Sequence, residues 1–126
     1  MNKLLIVGAG GFLGSVSRYL LAGAVNRIIV SAQFFPYGTL AVNVIGCLFI
    51  GFMGGLAESK QLLPEELRLL LIAGFLGGFT TFSTFGYESL SLIRSGQPAA
   101  FLSYIFLHII FGLGAVWAGF GFSKII

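Results

Sequence analysis

The run Thr80-Thr81-Phe82-Ser83-Thr84-Phe85 puts four hydroxyls and two phenyl rings into six consecutive residues. A hydroxyl both donates and accepts hydrogen bonds. A phenyl ring is negative on its face and positive at its edge. Phe82 and Phe85 are three apart, so on a helix they share one side. Two ring edges with hydroxyls beside them could touch a small anion. Immediately upstream, Gly74, Gly77 and Gly78 weaken any helix that contains them. All of this lies inside a segment apolar enough to cross a bilayer. A helix broken at that depth releases N–H and C=O groups where no water can reach them. Such backbone is tolerated only when it is buried in protein or lines a cavity or ion site. The residues therefore point to an ion or a pore.

The two ends of such a break differ chemically. The half-helix before it ends in free carbonyls, which suit a hard cation, and two chains crossing at their breaks would offer twice as many. The half-helix after it begins with free N–H groups, which attract anions. A second stripe, Thr39, Asn43, Cys47, Gly51 and Gly55, repeats every fourth residue and so lies on one helix face. Its lower part is small and suits helix contact. Asn43 has two readings, interhelical glue or an N–H donor to an anion. Arg18 also has two, a snorkelling side chain or a source of positive potential near an anion entrance. A third stripe holds Tyr104, His108 and Gly112. Tyr104 could offer a hydroxyl to a pore. His108 reads first as a packed, hydrogen-bonded histidine, and it has no metal-ligand partners at useful spacing. Glu88, one turn beyond Phe85, reads as a snorkelling or vestibule residue. No acid lies mid-span in the first, second or fourth segment, which argues against proton- or cation-coupled transport. No nucleophile, base and orienting group come together, so the chain does not read as an enzyme.

The elements that must position these residues are four apolar spans, at about 4–25, 37–57, 65–94 and 99–122, in a single transmembrane domain over 1–126. The composition is that of a membrane protein: 57% of the 126 residues are hydrophobic and 9% charged, against about 25% charged in soluble domains. Little chain remains for an extramembrane domain. No clustered Lys/Arg face supports nucleic-acid binding. Cys47 is the single cysteine, so no intrachain disulfide can form. The opening Lys3 and apolar run mimic a secretory leader, but the run is long enough to span and three more spans follow. Gly8, Gly11 and Gly14 mimic a dinucleotide-binding turn, yet the first acid in the chain is Glu58, far too late to hold a ribose. Asn26 to Phe35 and Glu58 to Leu63 read as short connections, and Ser95-Gly96-Gln97-Pro98 as a stop and restart. Lys3, Lys60, Arg68 and Lys124 fall on the side of the termini, with Arg27 and Arg94 on the other and Arg18 nearer that side too. This near balance leaves orientation weakly specified, so insertion both ways round and an antiparallel pair are both open.

The segments Gly38-Thr39-Leu40-Ala41-Val42-Asn43-Val44-Ile45-Gly46 and Gly74 to Phe85 resemble the Fluc/CrcB family of fluoride channels. The order of motifs, the four short spans and the chain length agree as well. The resemblance implies an all-α membrane fold with a broken third helix, assembled in the cell membrane as an antiparallel, dual-topology homodimer with two pores. It implies passive export of fluoride that lowers its cytoplasmic level, and a structural sodium ion at the dimer centre. By the same resemblance, the backbone carbonyls of Gly77 and Thr80 would hold the sodium. Fluoride would pass Asn43, Phe82 and Phe85. Thr39, Thr84 and Tyr104 would add polar contacts, and Arg18 would match the family's helix-one arginine. Family members often carry hydroxyls on the fourth helix beyond the tyrosine, whereas His108 and Gly112 stand there in this chain. Two rivals explain less. A small dual-topology exporter of cationic drugs would need a carboxylate in the first helix, and a non-transporting scaffold would explain the small-residue stripes but not the break.

Overall fold

The computed structural model describes residues 2–29, 35–60 and 63–125, with Ser59 and Lys60 described in backbone only. Parts of the two expected connections, 30–34 and 61–62, and the Lys60 side chain used in the charge balance lie outside the described residues. Among the described residues, four helical stretches are long and apolar enough to cross a membrane: Lys3–Ile28, Tyr37–Glu58, Glu65–Arg94 and Pro98–Ser123.

Helix α1 (Lys3–Ile28) starts at Asn2, whose side chain accepts a hydrogen bond from the Leu4 N–H at 3.1 Å. That satisfies one of the orphan donors of the first turn. Its buried residues are Ile6, Gly10 and Gly14, one stripe at i+4 spacing. The stripe faces the third span, and the contact is backbone on backbone. A Cβ at Gly10 would lie 2.8 Å from the Phe75 nitrogen, and one at Gly14 would lie 2.9 Å from the Phe79 nitrogen. From the other side, a Cβ at Gly74 would come within 2.8 Å of the Val7 oxygen. Only glycine allows this approach, as expected where helices associate in lipid through small residues.

Helix α2 (Tyr37–Lys60) packs most extensively on α6 (Pro98–Ser123). The same device recurs there. Gly51 meets the backbone of Val116, Gly55 meets Ser123, and a Cβ at Gly119 would lie 2.8 Å from the Phe52 nitrogen. The Asn26 side chain accepts from the Gly38 N–H at 2.9 Å and ties the end of α1 to the start of α2.

The third span is composite. A short α3 (Glu65–Arg68) follows Pro64, with Glu65 and Glu66 in the first turn, where the helix dipole favours negative charge. Leu69–Leu76 is π-helical, and its last turn closes with the Gly77 N–H donating to the Ile72 carbonyl. A π-helical stretch inside a span is uncommon and tends to mark functional positions. Helix α4 (Gly77–Phe79) is a single turn. Thr80 and Thr81 are then extended, at φ −80°, ψ 158° and φ −150°, ψ 115°. Helix α5 (Phe82–Arg94) resumes and ends at Gly96, whose φ of +73° lies in the left-handed region. The Gln97 N–H donates to the Leu92 carbonyl and the Gly96 N–H to the Ile93 carbonyl, each at 3.0 Å, which is the Schellman helix stop. Pro98 then opens α6. Lys3 and Glu65 form an exposed ion pair that places the starts of α1 and of the third span at one end of the bundle.

Candidate ion route

The break is held by side chains that reach it from two directions. The Thr81 N–H donates to Asn43 Oδ1 at 2.9 Å, and Asn43 Nδ2 donates to the Thr81 carbonyl at 3.1 Å. One amide thus satisfies both polar groups of one interrupted peptide position, replacing the bonds a helix would supply. The Thr81 hydroxyl caps α5. It accepts from the Thr84 N–H at 3.2 Å and donates to Thr84 Oγ1 at 3.0 Å. The Thr80 hydroxyl bonds back to the Leu76 carbonyl at 3.0 Å, the habit of threonine one turn along a helix.

This arrangement has a consequence for the carbonyls. In an unbroken helix the Thr81 N–H would go to the Gly77 oxygen and the Thr84 N–H to the Thr80 oxygen. Both donors are diverted, the first to Asn43 and the second to the Thr81 side chain. Gly77 and Thr80 therefore lose the helical partners of their carbonyls, and both line an open cavity of about 510 Å³. Asn43, Phe82, Phe85 and His108 line it too. Among the described residues, no group of three His, Cys, Asp or Glu side chains could hold a metal ion. The Gly77 and Thr80 carbonyl oxygens are hard, neutral donors.

Beyond Asn43 the polar groups and rings form one connected line. The Phe82 and Phe85 centroids are 5.6 Å apart. Phe85 lies 5.4 Å from the Tyr104 ring and 4.5 Å from the His108 ring. Tyr104 is fully buried, and its hydroxyl donates to Glu88 Oε2 at 2.6 Å. The Thr39 hydroxyl donates to Glu88 Oε1 at 3.0 Å. Asn43 Nδ2 also faces His108 Nε2 at 3.3 Å. Phe82 is 84% exposed, with its ring against Phe85 at the edge of the first cavity.

A second cavity, about 530 Å³, holds Arg18 with Arg27, Thr39, Thr84 and Glu88. Thr81 lines both cavities, so the break stands between them. The expected residues thus fall into two neighbouring groups. Asn43, the two phenylalanines and the Gly77–Thr80 carbonyl pair belong to the first. Thr39, Thr84 and Arg18 belong to the second. Tyr104 lies buried beside both, with its hydroxyl committed to Glu88.

Two residues matter more here than their sequence reading suggested. Glu88 lines the second cavity, as a vestibule residue would, and is also a shared acceptor for two hydroxyls. Its signal was its position, an ionisable group within a span and one turn from Phe85. Thr81 is both the cap of α5 and the backbone partner of Asn43. Its signal was the three-residue spacing to Thr84 just after a glycine-rich turn.

Comparison with known proteins agrees with this geometry. The family model described as "CrcB-like protein, Camphor Resistance (CrcB)" matches residues 5–120. A protein of Nitratidesulfovibrio vulgaris named "Fluoride-specific ion channel FluC" is 44% identical over 126 residues, covering 100% of both chains. One of the same name from Bacteroides fragilis is 49% identical over 120 residues, 94% of each chain. Another, from Chlorobaculum tepidum, is 46% identical over 125 residues, 99% of this chain and 97% of its own. A multi-pass membrane protein with a third span interrupted at Thr80–Thr81, this chain belongs to the CrcB family.

Proposed function

We propose that this protein is a passive, fluoride-selective channel of the cell membrane that lets fluoride leave the cytoplasm. The observation that carries the reading is the break at Thr80–Thr81. There, Asn43, Thr80, Thr81 and the Phe82–Phe85 pair line one open cavity. The relatives named as fluoride channels, which match this chain end to end, support it. Fluoride is small, strongly hydrated and a strong hydrogen-bond acceptor. Removing its water costs much unless short-range donors replace it. Amide N–H, hydroxyl and ring-edge groups can close around an ion of that size and fit chloride less well.

The functional unit is an antiparallel homodimer with dual topology and two routes. The exposed Phe82 and the cavity open to the surface of the protomer support a second copy seated there. A sodium ion at the dimer centre, bound by the Gly77 and Thr80 carbonyls of both copies, would satisfy oxygens that have lost their helical donors. One chain offers two such carbonyls and a pair offers four, closer to the coordination a hard cation requires. The ion would then be structural, fixing the crossing of the two breaks.

The test is flux from proteoliposomes loaded with equal fluoride and chloride. Fluoride is expected to leave rapidly while chloride is retained. Equal permeability to both halides would end the selectivity argument.

A further inference from the structure

His108 stands on α6 with both ring nitrogens engaged. Nδ1 lies 3.0 Å from the Tyr104 carbonyl oxygen. That oxygen can only accept, so Nδ1 carries the hydrogen. Nε2 of the uncharged ring is then a bare acceptor, and it faces Asn43 Nδ2, a donor, at 3.3 Å. The Asn43 amide has no freedom to turn round. A backbone N–H can only donate, so the Thr81 N–H at 2.9 Å must face Oδ1, which leaves Nδ2 toward the Thr81 carbonyl and His108. Main-chain atoms therefore fix both ends of the relay from Asn43 to His108 to the Tyr104 carbonyl.

An asparagine amide has two N–H donors. In Asn43 one serves the Thr81 carbonyl, and losing it would orphan a backbone group inside the break. The other goes to His108. At 3.3 Å this is the longest of the three bonds that Asn43 makes, and hence the one most readily given up. We infer that His108 is a positioning residue of the ion route, whose Nε2 occupies the one Asn43 hydrogen that a passing fluoride ion can take. This rests on the fluoride reading above. Imidazole and anion compete for a single donor. Between ions, His108 keeps that donor satisfied and the amide aimed. When fluoride takes it, the bare Nε2 lone pair faces negative charge and the ring turns aside. The ring lies between Phe85, at 4.5 Å, and Tyr104, at 4.4 Å between centroids. One turn further on is Gly112, where an added Cβ would meet only Cys47 Sγ, at 3.6 Å, so that side leaves room. Glu88, the acid on the facing helix α5, has both oxygens occupied by Thr39 and Tyr104.

The test compares half-saturating fluoride for efflux in three proteins. His108→Leu keeps bulk but removes the acceptor. Its half-saturating fluoride is expected about three- to tenfold below the native value, the worth of one hydrogen bond no longer competing. His108→Gln offers an amide oxygen to the same N–H and is expected within about twofold of native. A His108→Leu channel with native half-saturation would overturn the inference, as would a His108→Gln channel that behaves like His108→Leu. A second arm uses the native protein in bilayers and nitrogen-15 NMR. On fluoride titration, the Asn43 Nδ2 and His108 Nε2 signals should move together over one concentration range. Movement of Asn43 alone, or of neither while flux saturates, would equally overturn it, even if a variant fails to fold. Absence of fluoride flux from the native protein is a different failure, that of the fluoride reading itself.

Discussion

Asn43 presents the same groups as a peptide unit, and at the break it stands in for one. Its substitution by alanine leaves the Thr81 N–H and C=O without their partners. At about 1–3 kcal/mol for each buried group left unpaired, the loss is large against the stability of a small protein. Asn43→Ala is therefore expected to lower thermal stability as well as flux, which thermal melts in detergent and efflux assays would separate. Phe85→Ile makes the contrast. It keeps an apolar side chain, though a shorter and β-branched one, and removes the positive ring edge. Flux should fall at least about tenfold while the melting temperature falls less than in Asn43→Ala, because no buried polar group is left unpaired and the ring edge offers a passing anion what an alkyl group cannot. Native flux in Phe85→Ile would reduce the ring to packing. The paired substitutions distinguish two kinds of residue that the sequence alone placed in one group.

Between elements, the decisive contacts have no side chains in them. Gly10 and Gly14 of α1 bring its backbone against the π-helical stretch and α4, and Gly74 and Gly78 answer from the third span. Gly14→Val would drive a branched side chain into the Phe75 backbone. Overpacking of this sort costs about 1–3 kcal/mol where side chains can yield, and main chain yields less. The expected outcome is a protein that loses its assembled form on size exclusion in mild detergent and carries no fluoride. The mirror change on the open glycine, Gly8→Val, meets nothing within 4 Å and should be tolerated. In the sequence, Gly10 and Gly14 stand four apart and so mark one small face of the first helix without reference to any partner. The interruption of the third span was legible for the same reason, because its glycines and hydroxyls act locally. The π-helical stretch was not, as Leu69–Leu76 reads simply as an apolar run. Neither were the partners of Asn43 and Glu88. The Asn43–Thr81 bonds join residues 38 apart and the Thr39–Glu88 bond joins residues 49 apart. Such pairs are fixed by how whole helices dock, about which periodicity within one helix says nothing.

At the scale of the molecule, much of the apolar surface faces outward. Trp117 is 85% exposed and Tyr19 79% exposed, as expected for helices whose outer faces meet lipid. The few basic side chains are nearly balanced between the two expected sides of the bundle, so charge alone sets no orientation. A single cysteine added next to Lys124, in a background with Cys47 replaced by alanine, is expected to react with impermeant reagents from both sides of the membrane. Labelling from one side alone would reject dual insertion and, with it, the antiparallel pair.

Thr81 touches both cavities, and that makes it the partition wall between two chambers. The wall is one residue thick and is bolted in place by an amide from α2 and a hydroxyl of its own. On the fluoride reading, an ion moving from the arginine-lined chamber to the ring-lined one would pass this residue. What the amide grips is the N–H and C=O of Thr81 itself, so the position of the wall is set through its main chain.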